Sequence, residues 1–327
     1  MEGSVTAEVL LFRSQREGGY DEKFSLSENK SYLFRINFGP GGNRTRNLAF
    51  AKQTRYPPSL EASVYKTLAS KLNIRLCHLP QNKTTLEVCV DSVASALAAV
   101  RGGADRLELC AALSEGGLTP TLGLYRVIKR LVLVPVFVMI RVRAGFDFVF
   151  SQAEKEIMAL DCHQFVESGA DGFVIGALTG EQEIDIEFIR QLKTIIGDRP
   201  ITFHRAFDVV REPTRALEEL ISLGVTRVLT SGQRKSVADG LPLLQRLQAV
   251  SAGRIILLPG SGVHSGNILS ILSSANPAFQ EIHLSGKRTV QLQFKHEKEV
   301  CANDSIDVTD AETIREIRML LDRNSQS

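Results

Sequence analysis

The chain has 327 residues, of which 43% are hydrophobic and 23% charged, and its formal net charge is +2. This is an ordinary soluble composition, and it lacks the strongly basic balance by which proteins attract nucleic acid. No apolar run reaches the length that a membrane span needs, so we expect no membrane partner. The five cysteines are odd in number and scattered, which argues against a disulfide framework and favours a cytoplasmic location.

The first 84 residues differ from the rest of the chain. They contain the glycine-rich stretch GPGGNRTRN at 39–47 and the pair Pro57-Pro58, and no sustained apolar period runs through them. Without a regular apolar pattern a segment cannot build a core. We therefore expect residues 1–84 to be a weakly ordered N-terminal extension and residues 85–327 to form the folded domain.

From Thr85 onward, strand-like and helix-like patterns alternate. Eight short apolar runs are typical of buried strands: 85–91, 104–110, 135–143, 170–178, 200–206, 227–232, 254–262 and 281–287. Amphipathic helical patterns lie between them, and several end at a glycine, which suits a helix C-cap. Eight alternations over about 200 residues predict an α/β fold, the TIM-type (β/α)8 barrel. A doubly wound open sheet is the alternative, but the glycine-rich fingerprint expected after its first strand is missing.

A last helical pattern occupies residues 307–323. Its apolar stripe consists of Ile314, Ile317, Leu320 and Leu321, and Thr309 or Asp310 could cap its amino end. We expect this segment to be a closing helix that packs against the barrel.

One pattern, L-E-x-C, occurs twice, at 86–89 and 107–110, near the ends of the first two predicted strands. Side chains alternate faces along a strand, so Glu87 shares a face with Cys89, and Glu108 shares one with Cys110. If the two strands are parallel neighbours, the thiols could lie near enough to share one soft metal ion, Cu(I) or zinc. The competing interpretation is that each cysteine is a small buried apolar residue.

Polar residues cluster near the carboxyl ends of the predicted strands, where barrel enzymes carry their active sites. The candidates for catalysis or substrate binding are Glu87, Arg106, Glu108, Arg141, His204, Asp208 and His283. An arginine would hold a carboxylate or phosphate, while a histidine or glutamate would move a proton. Buried charges are costly unless they are paired, so a structural salt-bridge layer inside the barrel is the alternative.

A glycine-rich turn, Gly260-Ser261-Gly262, follows the seventh predicted strand and precedes a helical pattern. Glycines let backbone N–H groups approach an anion, and barrels often hold phosphate between strands seven and eight. The turn is therefore a candidate site for a phosphate or another small anion, although a simple tight turn has the same sequence.

The segments E-V-C-V-D-S, G-G-A-D-R-L-E-L-C, L-S-E-G-G-x-T-P and F-H-R-A-F-D occur in this order between Leu86 and Asp208. Together they resemble the CutC copper-homeostasis family, and the resemblance extends to the closing helix near Leu321. It implies a TIM-type barrel and a role in copper handling in the cytoplasm and, in animals, the nucleus. It also implies self-association into a homo-oligomer and Cu(I) binding at Cys89 and Cys110.

Two functions are therefore predicted. The first is copper homeostasis through binding of Cu(I). The alternative is a TIM-barrel enzyme that acts on a small anionic metabolite, which the polar strand ends favour because two thiols alone would not need them.

Overall fold

The structure is a computed structural model that describes residues 31–35, 47–51, 84–292 and 305–324. The chain divides into two compact units, Met1–Leu79 and Pro80–Ser327. In the first unit, strands β1 (Ser31–Arg35) and β2 (Asn47–Ala51) pair antiparallel. The expected weak order of the rest of the extension concerns residues outside the described ones and stays a prediction.

The second unit contains an eight-stranded parallel sheet that forms a nearly closed barrel. Its strands are β3 (Thr85–Val90), β4 (Arg106–Leu109), β5 (Val136–Met139), β6 (Gly172–Ile175), β7 (Ile201–Phe203), β8 (Arg227–Thr230), β9 (Ile256–Pro259) and β10 (Glu281–Leu284). Their order in the sheet is β10-β3-β4-β5-β6-β7-β8-β9, so the last strand pairs with the first and the others follow the chain. A doubly wound sheet instead reverses its strand order at a switch point. The predicted TIM-type barrel is therefore confirmed.

Helices alternate with the strands along the chain and surround the barrel. They are α1 (Val93–Gly102), α2 (Leu122–Leu131), α3 (Gln152–Glu167), α4 (Ile186–Ile196), α5 (Pro213–Ser222), α6 (Val237–Ser251), α7 (Ile268–Ser273) and α8 (Ala311–Asn324). The main apolar core joins these helices to the strand residues that point away from the barrel axis, among them Leu86 and Leu107. Because side chains alternate along a strand, the neighbouring residues Glu87 and Glu108 point to the barrel interior. Among the described helices, none is long and apolar enough to span a membrane.

The carboxyl-terminal segment differs from the sequence prediction in where its helix begins. Helix α8 begins at Ala311, because the preceding residues form strand β12 (Ser305–Thr309), which pairs antiparallel with β11 (Lys287–Gln291). Asp310 caps the helix, since its carboxylate accepts the backbone N–H of Thr313 at 3.0 Å. The closing helix and its cap are as predicted, but the pair of strands before it is not.

Candidate functional site

Four charged side chains pair with one another near the amino ends of the strands, inside the barrel. Arg106 donates to both Glu87 and Glu281, and Arg227 Nε lies 3.1 Å from Glu281 Oε2. All four side chains are more than nine-tenths buried. Both guanidinium groups also lie over the ring of Phe137, with Cζ 4.8 and 5.1 Å from its centroid. We call this group the charge layer; its two positive and two negative charges balance, as a structural salt-bridge layer requires.

The charge layer contains two residues that the sequence reasoning missed, Arg227 and Glu281. Each is the first residue of its strand, and Glu281 precedes His283 by two positions. Strand alternation therefore puts Glu281 on the same inner face as His283. That alternation is the signal that could have identified it before the structure was known.

His283 lies next to the charge layer, farther along the barrel axis. Its Nδ1 is 2.8 Å from Glu87 Oε1, and its Nε2 is 3.7 Å from Glu108 Oε2. Burial lowers the pKa of the imidazole, but the charges of Glu108 and Cys89 and the hydrogen bond to Glu87 outweigh it and raise that pKa well above 6.5. Near neutral pH, His283 is therefore an imidazolium between two carboxyl groups.

The two glutamates beside His283 respond differently to burial. Burial raises the pKa of the Glu87 carboxyl, but Arg106 and His283 together outweigh it and lower that pKa to about 2. For Glu108, burial dominates and the pKa is raised. Glu108 Oε1 is buried and has no hydrogen-bond partner among the described residues. Glu87 is thus firmly ionised, whereas Glu108 keeps an oxygen available to a proton or a metal ion.

Cys89, Glu108 and His283 form a candidate metal centre. One ligand atom from each lies within 4.8 Å of the other two, and all three residues are buried. The register of β3 and β4 places Cys89 directly beside Glu108, and β10 approaches β3 from its other side. A thiol, an imidazole and a carboxylate together suit copper or zinc.

The other predicted metal ligand, Cys110, lies outside that group. Its Sγ donates to Glu108 Oε2 at 3.6 Å, and its apolar neighbours include Met139 and Val174. Burial raises the pKa of its thiol well above 9. Because Cys89 pairs in register with Glu108, Cys110 lies two residues farther along the neighbouring strand. The glutamate and cysteine of both L-E-x-C segments therefore lie on the inner face, but Cys110 lies farther along the barrel axis than Cys89.

Arg141 lies at the carboxyl-terminal mouth of the barrel, just beyond β5, and is only 2% exposed. Its Nη1 donates to the carbonyls of Glu115 and Gly117 at 3.0 and 3.1 Å, and its Nη2 donates to that of Gly145 at 2.6 Å. Its Nε is buried and has no hydrogen-bond partner in the described ranges. Arg141 therefore ties two loops together through neutral carbonyls, which leaves its charge uncompensated by any of these contacts.

His204 lies at the same mouth, directly after β7, and is 3% exposed. Its Nδ1 accepts the Ala206 backbone N–H at 3.1 Å, which assigns the proton of the neutral ring to Nε2. Burial and then the positive charge of Arg141 lower the pKa of His204 to about 3. The ring fits against Gly176, where an added Cβ would lie 2.4 Å from Cε1. His204 is thus a neutral side chain, and its Nε2 finds no partner among the described residues.

Asp208 lies in the short helical segment Arg205–Val209, which begins directly after His204. Its carboxylate accepts the backbone N–H groups of Ser231 and Gln233 at 3.0 and 3.2 Å and the Arg205 Nε–H at 2.8 Å. These bonds hold the loop that follows β8. The geometry gives Asp208 a supporting role in this loop, and its catalytic role stays a prediction.

The turn Gly260-Ser261-Gly262 packs closely against the loop after β8. The Gly260 N–H donates to the Thr230 carbonyl at 3.1 Å, and the Ser261 hydroxyl donates to the Lys235 carbonyl at 2.9 Å. Ser261 and Gly262 both have positive φ, 81° and 73°. The Gly260 amide is thus used within the protein, so the predicted anion cradle depends on the two amides that follow it.

Comparisons with known proteins point to one family. The CutC family model matches residues 84–288. The copper homeostasis protein cutC homolog of Homo sapiens is 44% identical over 247 residues, which cover 73% of this chain and 89% of the relative. That of Mus musculus is 48% identical over 206 residues, covering 63% and 75%. A crystal structure described as the copper homeostasis protein CutC of Streptococcus agalactiae aligns with a TM-score of 0.59 and 29% identity, over 62% of this chain and 98% of that one.

Proposed function

Because this chain belongs to the CutC family of copper homeostasis proteins, we propose that it binds a Cu(I) ion as cargo inside its barrel. One observation carries the proposal: Cys89, Glu108 and His283 are buried together with their ligand atoms within 4.8 Å of one another. A thiolate and an imidazole are ligands that Cu(I) accepts, and Glu108 supplies a third donor with an unpartnered oxygen.

Binding at this site is coupled to the loss of protons. Metal ligands act in their deprotonated forms, so His283 must lose the proton that its raised pKa retains. The pKa of Glu108 is also raised, so this carboxyl must likewise lose its proton before it can act as a ligand. We therefore expect the affinity for Cu(I) to increase as the pH rises.

Competition for Cu(I) with a bathocuproine-type chelator under anaerobic conditions tests this site. Replacing a metal's neighbours beyond its ligands costs roughly ten- to a hundred-fold in affinity, so Cys89→Ala and His283→Gln should each cost at least about ten-fold. Cys162→Ala is the matched control, because it removes a buried thiol from α3. Wild-type affinity in Cys89→Ala, with Cys162→Ala also unchanged, would refute the proposal.

Cys110→Ala separates the two possible ligand sets. If Cys89, Glu108 and His283 hold the ion, this variant should retain most of the affinity, because Cys110 is not one of the three residues whose ligand atoms converge. If the two cysteines predicted from the sequence are the ligands, Cys110→Ala and Cys89→Ala should weaken binding equally.

Two further proposals come from the family resemblance alone. We propose that the protein acts in the cytoplasm and the nucleus and that it forms a homo-oligomer. Imaging of the tagged full chain tests the location, and light scattering coupled to size-exclusion chromatography tests the assembly.

An enzyme that acts on a small anionic metabolite is the second candidate function. The observation in its favour is the pair of buried side chains at the mouth, Arg141 and His204, each with an unpartnered nitrogen. Thermal-shift screening of anionic metabolites, followed by turnover assays on those that bind, tests it. Absence of any ligand that depends on Arg141 would count against this function.

A further inference from the structure

The guanidinium of Arg141 is a buried positive charge that no ion pair balances among the described residues, although Asp147 and Glu115 attract it from beyond ion-pair distance. Its Nη atoms donate to three carbonyls, and no carboxylate in the described part of the chain forms an ion pair with it. Burying a charge costs several kcal/mol unless a counter-charge and hydrogen bonds compensate it. An anionic ligand bound at this guanidinium would supply the missing compensation.

His204 offers a second donor in the same place. With Nδ1 occupied by the Ala206 N–H, the neutral ring presents its Nε2–H, which meets no acceptor in the described residues. Buried donors in native proteins almost always find a partner, so an unpartnered one indicates a missing water, ion or ligand. Two such donors, Arg141 Nε and His204 Nε2, occur together at this mouth.

Phe148 joins the two donors into one site. Its ring centroid lies 5.0 Å from Arg141 Cζ and 5.1 Å from the His204 ring. Phe148 is buried although its φ is +52°, a conformation that bulky residues rarely adopt, and its carbonyl is held by the Leu178 N–H at 2.9 Å. Strained residues of this kind cluster at binding and active sites. An apolar ring beside both groups lowers the local dielectric constant, which strengthens their attraction for an anion.

We infer that Arg141 and His204, covered by Phe148, form a binding site for the carboxylate or the phosphate monoanion of a small molecule. Arg141 contributes the single positive charge, and His204 adds a neutral N–H that selects for an oxygen acceptor. One net charge matches a carboxylate or a singly charged phosphate better than a dianion. The inference rests on the second candidate function for its ligand class and does not depend on copper.

Isothermal titration of the full chain with acetate and, separately, with inorganic phosphate tests this site. We expect His204→Asn to weaken binding of the preferred anion at least about ten-fold, while the asparagine keeps an acceptor for the Ala206 N–H. Arg141→Gln should abolish binding of the anion. If that variant does not fold, the affinity of His204→Asn for the anion tests the site by itself. His163→Asn is the matched control, because it removes an exposed histidine from α3. The anion that binds more tightly, acetate or phosphate, identifies the ligand class.

Two outcomes would overturn the inference. One is that neither anion binds the wild-type protein. The other is that His204→Asn binds normally while Arg246→Gln does not, which would assign the anion to the surface cavity of about 430 Å³ lined by Arg234 and Arg246.

Wild-type Cu(I) affinity in His204→Asn separates this site from the metal centre. If an anion binds but no metabolite is turned over, the enzymatic function is refuted and the anion-binding site is supported.

Discussion

The charge layer and the mouth both bury arginine inside the barrel, yet they treat its charge in opposite ways. Arg106 pairs with two carboxylates, whereas the hydrogen bonds of the Arg141 guanidinium within the described residues all go to carbonyl oxygens. A balanced network needs no ligand to neutralise its charges. An unbalanced buried charge costs stability unless a ligand compensates it. The two arginines therefore differ in their pairing and not in their burial.

Removing a partner from the charge layer should have the largest effect. Arg106→Met leaves Glu87 and Glu281 buried with fewer counter-charges, so we expect the free energy of unfolding to fall by about 3–5 kcal/mol. Urea denaturation measures it. Arg215→Met is the matched control, since Arg215 is exposed and paired with Glu219, and it should change stability by less than about 1 kcal/mol. If Arg106→Met lowers the free energy of unfolding by less than about 1 kcal/mol, the charge layer does not stabilise the fold.

The pH dependence of stability should show whether the mouth holds His204 in its neutral form. The pKa of His204 is about 3 in the folded protein and near 6.5 unfolded, so the unfolded state binds the proton first. Its contribution to stability is complete above pH 6.5 and is lost as the pH falls toward 3. Between pH 7 and pH 5 the loss should be about 2 kcal/mol.

The His204→Asn variant isolates this contribution. Urea denaturation at both pH values should show a stability loss in the variant that is smaller than in wild type by about 2 kcal/mol. The exposed His163→Asn control should follow the wild-type curve. If His204→Asn loses as much stability as wild type, His204 is not held neutral.

The smallest effect concerns an unpartnered hydroxyl inside the barrel. Thr202 Oγ1 is buried and has no hydrogen-bond partner in the ranges that the structure describes. Thr202→Val keeps the shape and removes the unpaired group, so the free energy of unfolding should rise by up to about 1 kcal/mol. Thr230→Val is the opposite case, because the Thr230 hydroxyl donates to Asp208 and accepts the Gly232 N–H at 2.9 Å, and it should destabilise. Destabilisation by Thr202→Val would reveal a partner of this hydroxyl, such as a bound water.

Much of the barrel could be predicted because its strands are short, apolar and separated by regular helical patterns. All eight predicted runs contain an observed strand, but the strands are shorter. The third run extends to Arg143 in the prediction, whereas β5 ends at Met139. Two residues later the Arg141 N–H donates to the Thr119 hydroxyl at 2.8 Å, so the backbone has left the sheet. Such a contact with a distant loop leaves no trace in local periodicity.

The candidate site was only partly predictable. Strand alternation predicted that Glu87 shares a face with Cys89 and Glu108 with Cys110, and the structure brings Glu87, Cys89 and Glu108 together with His283. Alternation alone did not predict that Cys110 lies outside the candidate metal centre. The reason is that alternation specifies the face of a strand, while the offset between neighbouring strands comes from their pairing.

The sequence by itself determined the barrel, its outer apolar core and the polar character of its interior, because each follows from periodicity over a few residues. Only the tertiary structure decided which interior groups meet. His283 pairs with Glu87 across 196 residues, and Glu281 completes the charge layer from the same last strand. Closure and stagger of the barrel set these contacts, and both depend on all the strands at once. Closure and stagger pair Arg106 with two carboxylates and leave Arg141 without an ion pair among the described residues, although the two arginines look alike in the sequence.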